Sequence, residues 1–487
     1  MSVNMKNLIS MMGILLFVIG LCALPSLVTA VIYREVAAAI SFVVLIALCL
    51  LIGLAIMKLF PPARIRVRAR DGFLIVALCW LIASFISALP MVITGAIPRF
   101  VDAFFEMCSG YSTTGASILS DIEALPKSIL FWRSFSHWLG GMGIIVFATA
   151  IIPSIGVEGM MIASRETPGP TLDKMTPHFS DTSRRLYLLY IIFTVVLAIL
   201  LMFGGMSLYD ALIHSFGTVG TGGFSNYNNS VAHFASPYIY WVLTIFMILC
   251  GTNFNLFFVM IRRPRRAFQD EEYRAYMGII IAFTVMIAID LLAAGGYHDP
   301  FRSLTDSAFQ VASVITTTGF ATTNFDVWPT FAKMLLFLLM MLGASSSSTG
   351  GGPKIVRILV SIKLIRRGIS LKIHPRQVTT LKLNRGQITQ EIATNIANFM
   401  FLYFATIFVG SLLIAVNGFD LVTTVSAVVT CVGNVGPGFN LVGPTMNFSQ
   451  FSDFSKIVLS FLMIAGRLEL FTVFMLFSPY YWNSNKA

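Results

Sequence analysis

Apolar runs of about 18 residues or more, long enough to cross a bilayer as helices, recur along most of this chain. In lipid every backbone N–H and C=O needs an internal partner, so such runs are helices or the strands of a closed barrel. A barrel would show alternating segments of about ten residues, and they are absent here. Charge is scarce: of 487 residues, 56% are hydrophobic and 11% charged, with a mean hydropathy of +0.82. The fold class these features dictate is an all-α polytopic membrane protein.

The basic residues orient it. Arg64, Arg66, Arg68 and Arg70 follow the second apolar run, and Arg262, Arg263, Arg265 and Arg266 follow another. The longest basic stretch runs from Lys354 through Arg357, Lys363, Arg366, Arg367, Lys372, Arg376 and Lys382 to Arg385. Loops on the other side carry single charges such as Arg34, Arg99, Lys127 and Arg302. The positive-inside rule puts the clusters and both termini in the cytoplasm. These residues flank spans rather than forming a soluble basic domain, so the net charge of +11 points to no nucleic-acid partner. The lipid bilayer is the partner the composition requires. The six cysteines form no CxxC pair, lie mostly inside apolar runs and read as small buried hydrophobes. Lys6 and the apolar stretch up to Val28-Thr29-Ala30 imitate a signal peptide, but the stretch is too long for its apolar region and reads as a span.

Two spans, Leu8–Tyr33 and Val36–Phe60, make residues 1–70 an N-terminal pair. A unit of span, short re-entrant segment, glycine loop and span then recurs four times, over residues 71–155, 184–266, 274–367 and 390–487. The outer and inner spans are Phe73–Thr94 and Ile129–Ile155, Leu186–Met206 and Tyr238–Ile261, Met277–Ala294 and Phe331–Ile365, and Ile392–Val416 and Phe451–Phe477. Between them lie Val101–Ser117, Leu208–Ser225, Leu304–Thr322 and Phe419–Asn440. Each of these holds about 10 to 14 moderately apolar residues, which suits a half-membrane helix ending in a loop. The expectation is about ten transmembrane helices, with the four units around one pseudo-fourfold pore.

The glycine loops carry the chemistry. They read Ser112-Thr113-Thr114-Gly115, Thr218-Val219-Gly220-Thr221-Gly222-Gly223, Thr316-Thr317-Thr318-Gly319 and Gly433-Asn434-Val435-Gly436. Irregular backbone at membrane depth survives only where it is buried in protein or lines a watery path. Four such loops converging on one axis can aim carbonyl oxygens at a bare cation and replace its water shell, as in a selectivity filter. Glycine gives the backbone the φ/ψ freedom this needs. Asp102, Asp210 and Asp306 each stand 13 residues before Gly115, Gly223 and Gly319, which suggests acidic first turns at the positive ends of three re-entrant helices. The fourth loop breaks the pattern. Thirteen residues after Asp420 comes Gly433, Gly436 lies three later, and Gly438-Phe439 echoes Gly223-Phe224; spacing alone favours Gly433.

The inner span of the third unit is interrupted by Gly343-Ala344-Ser345-Ser346-Ser347-Ser348-Thr349-Gly350-Gly351-Gly352-Pro353. No helix of ordinary stability keeps this composition in its middle. The expectation is a loop inside the membrane, below the filter. Arg467 sits inside the last span, and a charge there faces the bundle interior. It is expected to point at the pore and to pair with carbonyls of the glycine–serine loop or with Glu469. Asn253 and Asn255 are candidate cavity-lining groups, while His137 and His214 show no metal spacing.

With these residues in view, the chain resembles the Trk/Ktr/HKT superfamily of potassium transporters, over nearly its whole length and including the two extra N-terminal spans of the bacterial Trk type. The resemblance implies potassium uptake across a bacterial inner membrane, with potassium as the transported substrate and one filter glycine per loop. Carried over, these are Gly115, Gly223, Gly319 and Gly436, the last through the Asn-x-Gly match at Asn434-Val435-Gly436. The implied ion ligands are the carbonyls before each glycine: Ser112, Thr113 and Thr114; Thr221 and Gly222; Thr317 and Thr318; Asn434 and Val435. Some sodium-preferring plant relatives have serine at the first glycine, so Gly115 argues for potassium. The family also implies that the loop from Gly343 to Gly352 obstructs the pore, that the protein is a homodimer with one pore per subunit, and that a cytosolic ring partner binding NAD or ATP-type nucleotides controls the gate. No cofactor is expected on this chain itself, which has no P-loop and no GxGxxG opening a soluble domain.

The rival reading is a secondary transporter of a small organic solute, where broken helices and internal repeats also occur. It predicts inverted repeats and groups for a substrate carboxylate or amine, whereas the four units here run in the same direction. A membrane-embedded enzyme would need a His/Asp/Glu cluster on facing spans, and the sequence offers none.

Overall fold

The computed structural model describes residues 5–61, 69–143, 179–377, 379–384 and 386–482. Arg64, Arg66, Arg68, Arg385 and the part of the Ile129–Ile155 span beyond residue 143 lie outside the described residues.

The molecule is mostly helical. In chain order the helices are α1 (Met5–Cys22), α2 (Leu24–Ile32), α3 (Val36–Leu59), α4 (Ala69–Ser87), α5 (Leu89–Ile93), α6 (Phe100–Tyr111), α7 (Lys127–Met142), α8 (Phe179–Phe203), α9 (Leu208–Gly220), α10 (Pro237–Gly251) and α11 (Phe254–Arg262). They continue with α12 (Pro264–Phe268), α13 (Glu271–Ala293), α14 (Pro300–Ile315), α15 (Thr330–Met340), α16 (Ile355–Ile373), α17 (Gln390–Ile414), α18 (Leu421–Gly433), α19 (Asp453–Arg467), α20 (Phe471–Phe474) and α21 (Pro479–Trp482). Strands β1 (Lys382–Leu383) and β2 (Gly386–Gln387) form one antiparallel hairpin. Leu381, Leu383 and Ile388 tuck it against Val356 and Val360 of α16 and Ala393 and Ile396 of α17.

Among the described residues, six helical stretches are long and apolar enough to span a bilayer, and eight if each of two bent pairs is one span. The sequence drew Tyr238–Ile261 and Phe451–Phe477 as unbroken spans. Both are broken: α10 and α11 meet at 92°, and α19 turns 114° into the segment beginning at Phe471. The first break has a local cause, since Asn253 leaves the helix and its side chain accepts the Asn255 N–H, restarting the chain as an N-cap. At the second, Glu469 and Leu470 take positive φ, at +62° and +45°, which stops the helix.

Small residues set the close packing. A Cβ on Gly53 of α3 would lie 2.8 Å from the Gly13 carbonyl oxygen of α1, so these two helices approach backbone to backbone. Buried residues of α1, α3, α4, α6, α7 and α13 to α19 form one continuous core, and α8, α9 and α10 a second around Leu197, Leu201, Leu243 and Met247.

Candidate functional site

Four short helices, α6, α9, α14 and α18, each run into one of the glycine loops. They end in the same way. Thr113, Thr221, Thr317 and Asn434 all take left-handed backbone, with φ of +54°, +55°, +58° and +56°. Their N–H groups reach back to Gly110, Thr218, Val314 and Cys431, and the next N–H groups, of Thr114, Gly222, Thr318 and Val435, bond Ser109, Gly217, Ser313 and Thr430 at 2.8–2.9 Å. This is the helix-ending motif that usually places glycine at the left-handed position. Threonine there is costly, and three of the four are threonine (Asn434 tolerates the conformation better), which signals a constraint beyond helix termination. Two residues on, Gly115, Gly223, Gly319 and Gly436 are left-handed again, at +83°, +77°, +83° and +99°.

The loops meet in a circle. A Cβ on Gly115 would lie 2.2 Å from the Gly222 oxygen, and one on Gly223 2.0 Å from the Thr318 oxygen. One on Gly319 would lie 2.3 Å from the Val435 oxygen, and one on Gly436 2.5 Å from the Thr114 oxygen. Each oxygen belongs to the residue before the next loop's glycine, so the contacts run through the four loops in chain order and return to the first. One cavity touches all four glycines. The Asn434 amide ties the last loop to the first, donating to Thr114 Oγ1 at 3.0 Å and to the Met463 carbonyl at 2.8 Å.

Of the three glycines open in the fourth loop, Gly436 makes the ring contact. Gly433 faces the Met340 carbonyl of α15, and Gly438 faces Val442 and Ser426. The 13-residue rule fails there for a local reason. Asp102 and Asp210 are the third residues of α6 and α9, but Asp420 is the N-cap of α18, its carboxylate accepting the Thr423 N–H. A cap sits three residues before a third position, which is the observed discrepancy. Asp420 is exposed, and its hydrogen bonds, first that from the Thr423 hydroxyl, hold its carboxyl below the usual range. Asp306 also departs from expectation. Helix α14 starts at Pro300, so Asp306 lies in the second turn, where it accepts hydrogen bonds from Thr322 Oγ1 and Tyr297 OH at 3.0 Å.

Groups behind the loops hold the ring, and the strongest of them escaped sequence reading. Glu106 of α6 and Arg133 of α7 form a buried pair at 2.5 Å. Glu106 also accepts Ser117 Oγ and the Ile118 N–H, both at 2.9 Å, while Arg133 donates to the Ser225 carbonyl at 2.9 Å and covers the Phe224 ring. One ion pair thus braces the descending limbs of two loops. The signal was present: a glutamate and an arginine within apolar runs are functional candidates by default. His137 accepts the Phe224 N–H at Nε2 (3.2 Å) and contacts the Gly110 carbonyl through Nδ1 (2.8 Å). His214 bridges the Asp210 carbonyl and Ser225 Oγ. Both histidines are satisfied supports, and the described residues contain no group of three or more His, Cys, Asp or Glu placed to hold a metal.

Under the ring runs the segment from Gly343 to Pro353, between α15 and α16. Its neck closes where Gly343 meets Gly351 and Gly352, and where the Ile355 N–H bonds Ala344 O at 3.0 Å. The returning limb at this neck reaches the ring: the Gly351 N–H donates to Thr317 Oγ1 at 2.6 Å, and a Cβ on Gly351 would meet Gly433 O at 2.6 Å. Glu272 of α13 accepts both the N–H and the hydroxyl of Ser346 at 2.6 Å. Ser345 N–H bonds Gly251 O, the Phe254 N–H bonds Ser347 O, and Asn253 donates weakly to Ser346 Oγ, so the bend between α10 and α11 cradles the segment.

Arg467 is buried and donates to the carbonyls of Thr349 (2.8 Å), Gly140 (2.7 Å) and Gly141 (2.9 Å). Glu469 forms a 2.7 Å ion pair with Arg357. Lys354, assigned from sequence to the cytoplasmic basic stretch, is instead buried, its ammonium on the Gly350 carbonyl. Arg357 is buried too. Charge counting along the chain cannot see that both side chains fold into the protein.

The model of the TrkH family, described as cation transport protein, matches residues 40–484. The Trk system potassium uptake protein TrkH of Salmonella typhimurium is 36% identical over 467 residues, covering 95% of this chain and 96% of that one. The protein of the same name from Vibrio parahaemolyticus is 35% identical over 487 residues, covering 98% and 99%. The crystal structure of the potassium transporter TrkH from Vibrio parahaemolyticus superposes with a TM-score of 0.88 at 33% identity, covering 99% of this chain and all of that one. This chain belongs to the TrkH family of cation transport proteins.

Proposed function

We propose that this chain takes up potassium across the bacterial inner membrane through a filter made of its four glycine loops. What carries the reading is the ring: four carbonyl oxygens from four loops, each packed against the glycine of its neighbour. The helices behind them point their partially negative C-terminal ends at the same centre. The four units of span, short helix, loop and span supply one quarter of the ring each. Carbonyls of Thr114, Gly222, Thr318 and Val435 form one layer of ligands, with Thr113, Thr221, Thr317 and Asn434 below it. Potassium uptake is also the activity named for the curated relatives.

In this reading the segment from Gly343 to Gly352 is the gate, shut here by Arg467, Glu272 and the Thr317 contact. A membrane potential negative inside favours inward movement by roughly 2.3 kcal/mol per charge per 100 mV. The chain works as a homodimer with cytoplasmic termini, and a cytosolic nucleotide-binding ring protein docks on its basic loops to open the gate. The test is rubidium flux into proteoliposomes. Saturable flux, lost on placing bulky residues at the four glycines and raised by Arg467→Gln, supports the pore. Exchange of an organic solute with no cation flux overturns it.

A further inference from the structure

We infer that the intramembrane segment carries a second monovalent-cation site, formed by the Gly350 carbonyl and the Ser348 hydroxyl beneath the ring, and that in this conformation the chain's own Lys354 ammonium fills it. The inference rests on the uptake reading above. Lys354 is 1% exposed. Its Nζ donates to Gly350 O and lies 3.5 Å from Ser348 Oγ, so the charge is held by neutral oxygens. The charged groups around it are Arg467 and Arg357 against Glu469 and Glu272, and the two carboxylates already bind Arg357 and Ser346.

Gly350 abuts the inner end of the ring. A Cβ on it would lie 2.9 Å from Thr316 O and 3.5 Å from Thr317 Oγ1, and the next N–H bonds Thr317 Oγ1. The preceding carbonyl, Thr349 O, is taken by Arg467. Two successive carbonyls beneath the ring thus each carry a fixed cation. Carbonyl and hydroxyl oxygens are the ligand type that replaces the water of an alkali ion. A lysine ammonium is a compact point charge, a fair stand-in for such an ion, while the planar guanidinium of Arg467 is not. Lys354 itself has φ of +75°, a backbone that L side chains disfavour and that contacts elsewhere must hold. Its ammonium is one such contact. Opening withdraws the tethered charge and leaves the oxygens to an ion leaving the ring.

The test is rubidium flux through the full chain in proteoliposomes without added partner. Lys354→Met should raise basal flux about tenfold or more, the shift that loss of one charge-assisted hydrogen bond gives a two-state equilibrium. Gly223→Ala in the same background should cut this leak about a hundredfold or strip it of discrimination against sodium, showing that it passes the ring. Lys354→Cys should also leak, be shut again by aminoethyl methanethiosulfonate, which restores an ammonium, and stay open with the neutral methyl reagent; it serves if the Met variant misfolds. Leak-free variants, or closure by both reagents, overturn the tethered-cation site while leaving the uptake reading intact. Absence of rubidium flux in every variant and in the wild type overturns the uptake reading instead.

Discussion

Replacing Gly223 by alanine is the sharpest single perturbation of the ring. The new methyl carbon would lie 2.0 Å from the Thr318 oxygen and 3.1 Å from the Gly319 carbonyl carbon, where ordinary contact begins at 3.4 Å. The obstacle is backbone, so no side chain can swing aside, and the third loop's carbonyl must retreat by more than an ångström. Left-handed alanine adds a backbone cost of about 1–2 kcal/mol. Gly205 separates the two effects. Its φ is +94°, and a Cβ there would meet nothing within 4 Å, so Gly205→Ala carries the backbone cost alone. Where a rate depends on fixed geometry, a misplacement of this size costs about a hundredfold. In proteoliposomes, Gly223→Ala should lose rubidium flux on that scale or lose discrimination against sodium, and Gly205→Ala should keep both. Gly436→Ala, at 2.5 Å from the Thr114 backbone oxygen and with φ of +99°, should behave like Gly223→Ala. A folded Gly223→Ala protein with flux and selectivity within about twofold of wild type would refute the argument, since a shift of even 1.4 kcal/mol is tenfold.

Other expectations follow from particular contacts. Arg133→Met leaves Glu106 charged and unpaired in the core, so thermal unfolding in detergent should show a loss of about 3–5 kcal/mol, with much of it recovered by adding Glu106→Gln. Thr317→Val keeps the shape but removes the acceptor for the Gly351 N–H, so basal rubidium flux should rise without added partner. Glu272→Gln weakens the grip on Ser346 and should also raise basal flux, measured in the same vesicles. Asp420→Ala removes the cap of α18 and should cost about 1 kcal/mol. Because the folded state lowers the Asp420 pKa, this advantage of the wild type is complete above about pH 4 and fades as pH falls through the lowered value, which melting curves from pH 7 downward would show.

Much of the geometry was within reach of local rules. Helical spans follow from long apolar runs because lipid demands internal pairing of the backbone and the alternating pattern of a barrel is absent. The ends of α6, α9 and α14 fall before the loop glycines, as the sequence places them, but the left-handed threonines there do not follow from ordinary helix termination. The segment from Gly343 to Pro353 leaves the helix because its glycines and proline are the poorest helix formers. Other features were invisible for definite reasons. Spacing from Asp420 pointed to Gly433, since one spacing rule cannot distinguish an N-cap aspartate from one in the first turn. The breaks after Gly251 and Arg467 were missed because average hydropathy stays high across both, which masks the capping Asn253 in the first and the charged Arg467 and Glu469 in the second.

By itself, the sequence determined that this chain lives in a bilayer, roughly where its apolar helices run, and that four short helices end in loops able to bare their carbonyls. The tertiary structure decided that Gly115, Gly223, Gly319 and Gly436 each touch the next loop's carbonyl, that Glu106 meets Arg133, and that Lys354 turns inward onto Gly350. The physical reason is range. Helix ends and spans are set by partners a few residues away, whereas Asn434 finds Thr114 across 320 residues of chain, and only the packing of the whole bundle fixes such a meeting.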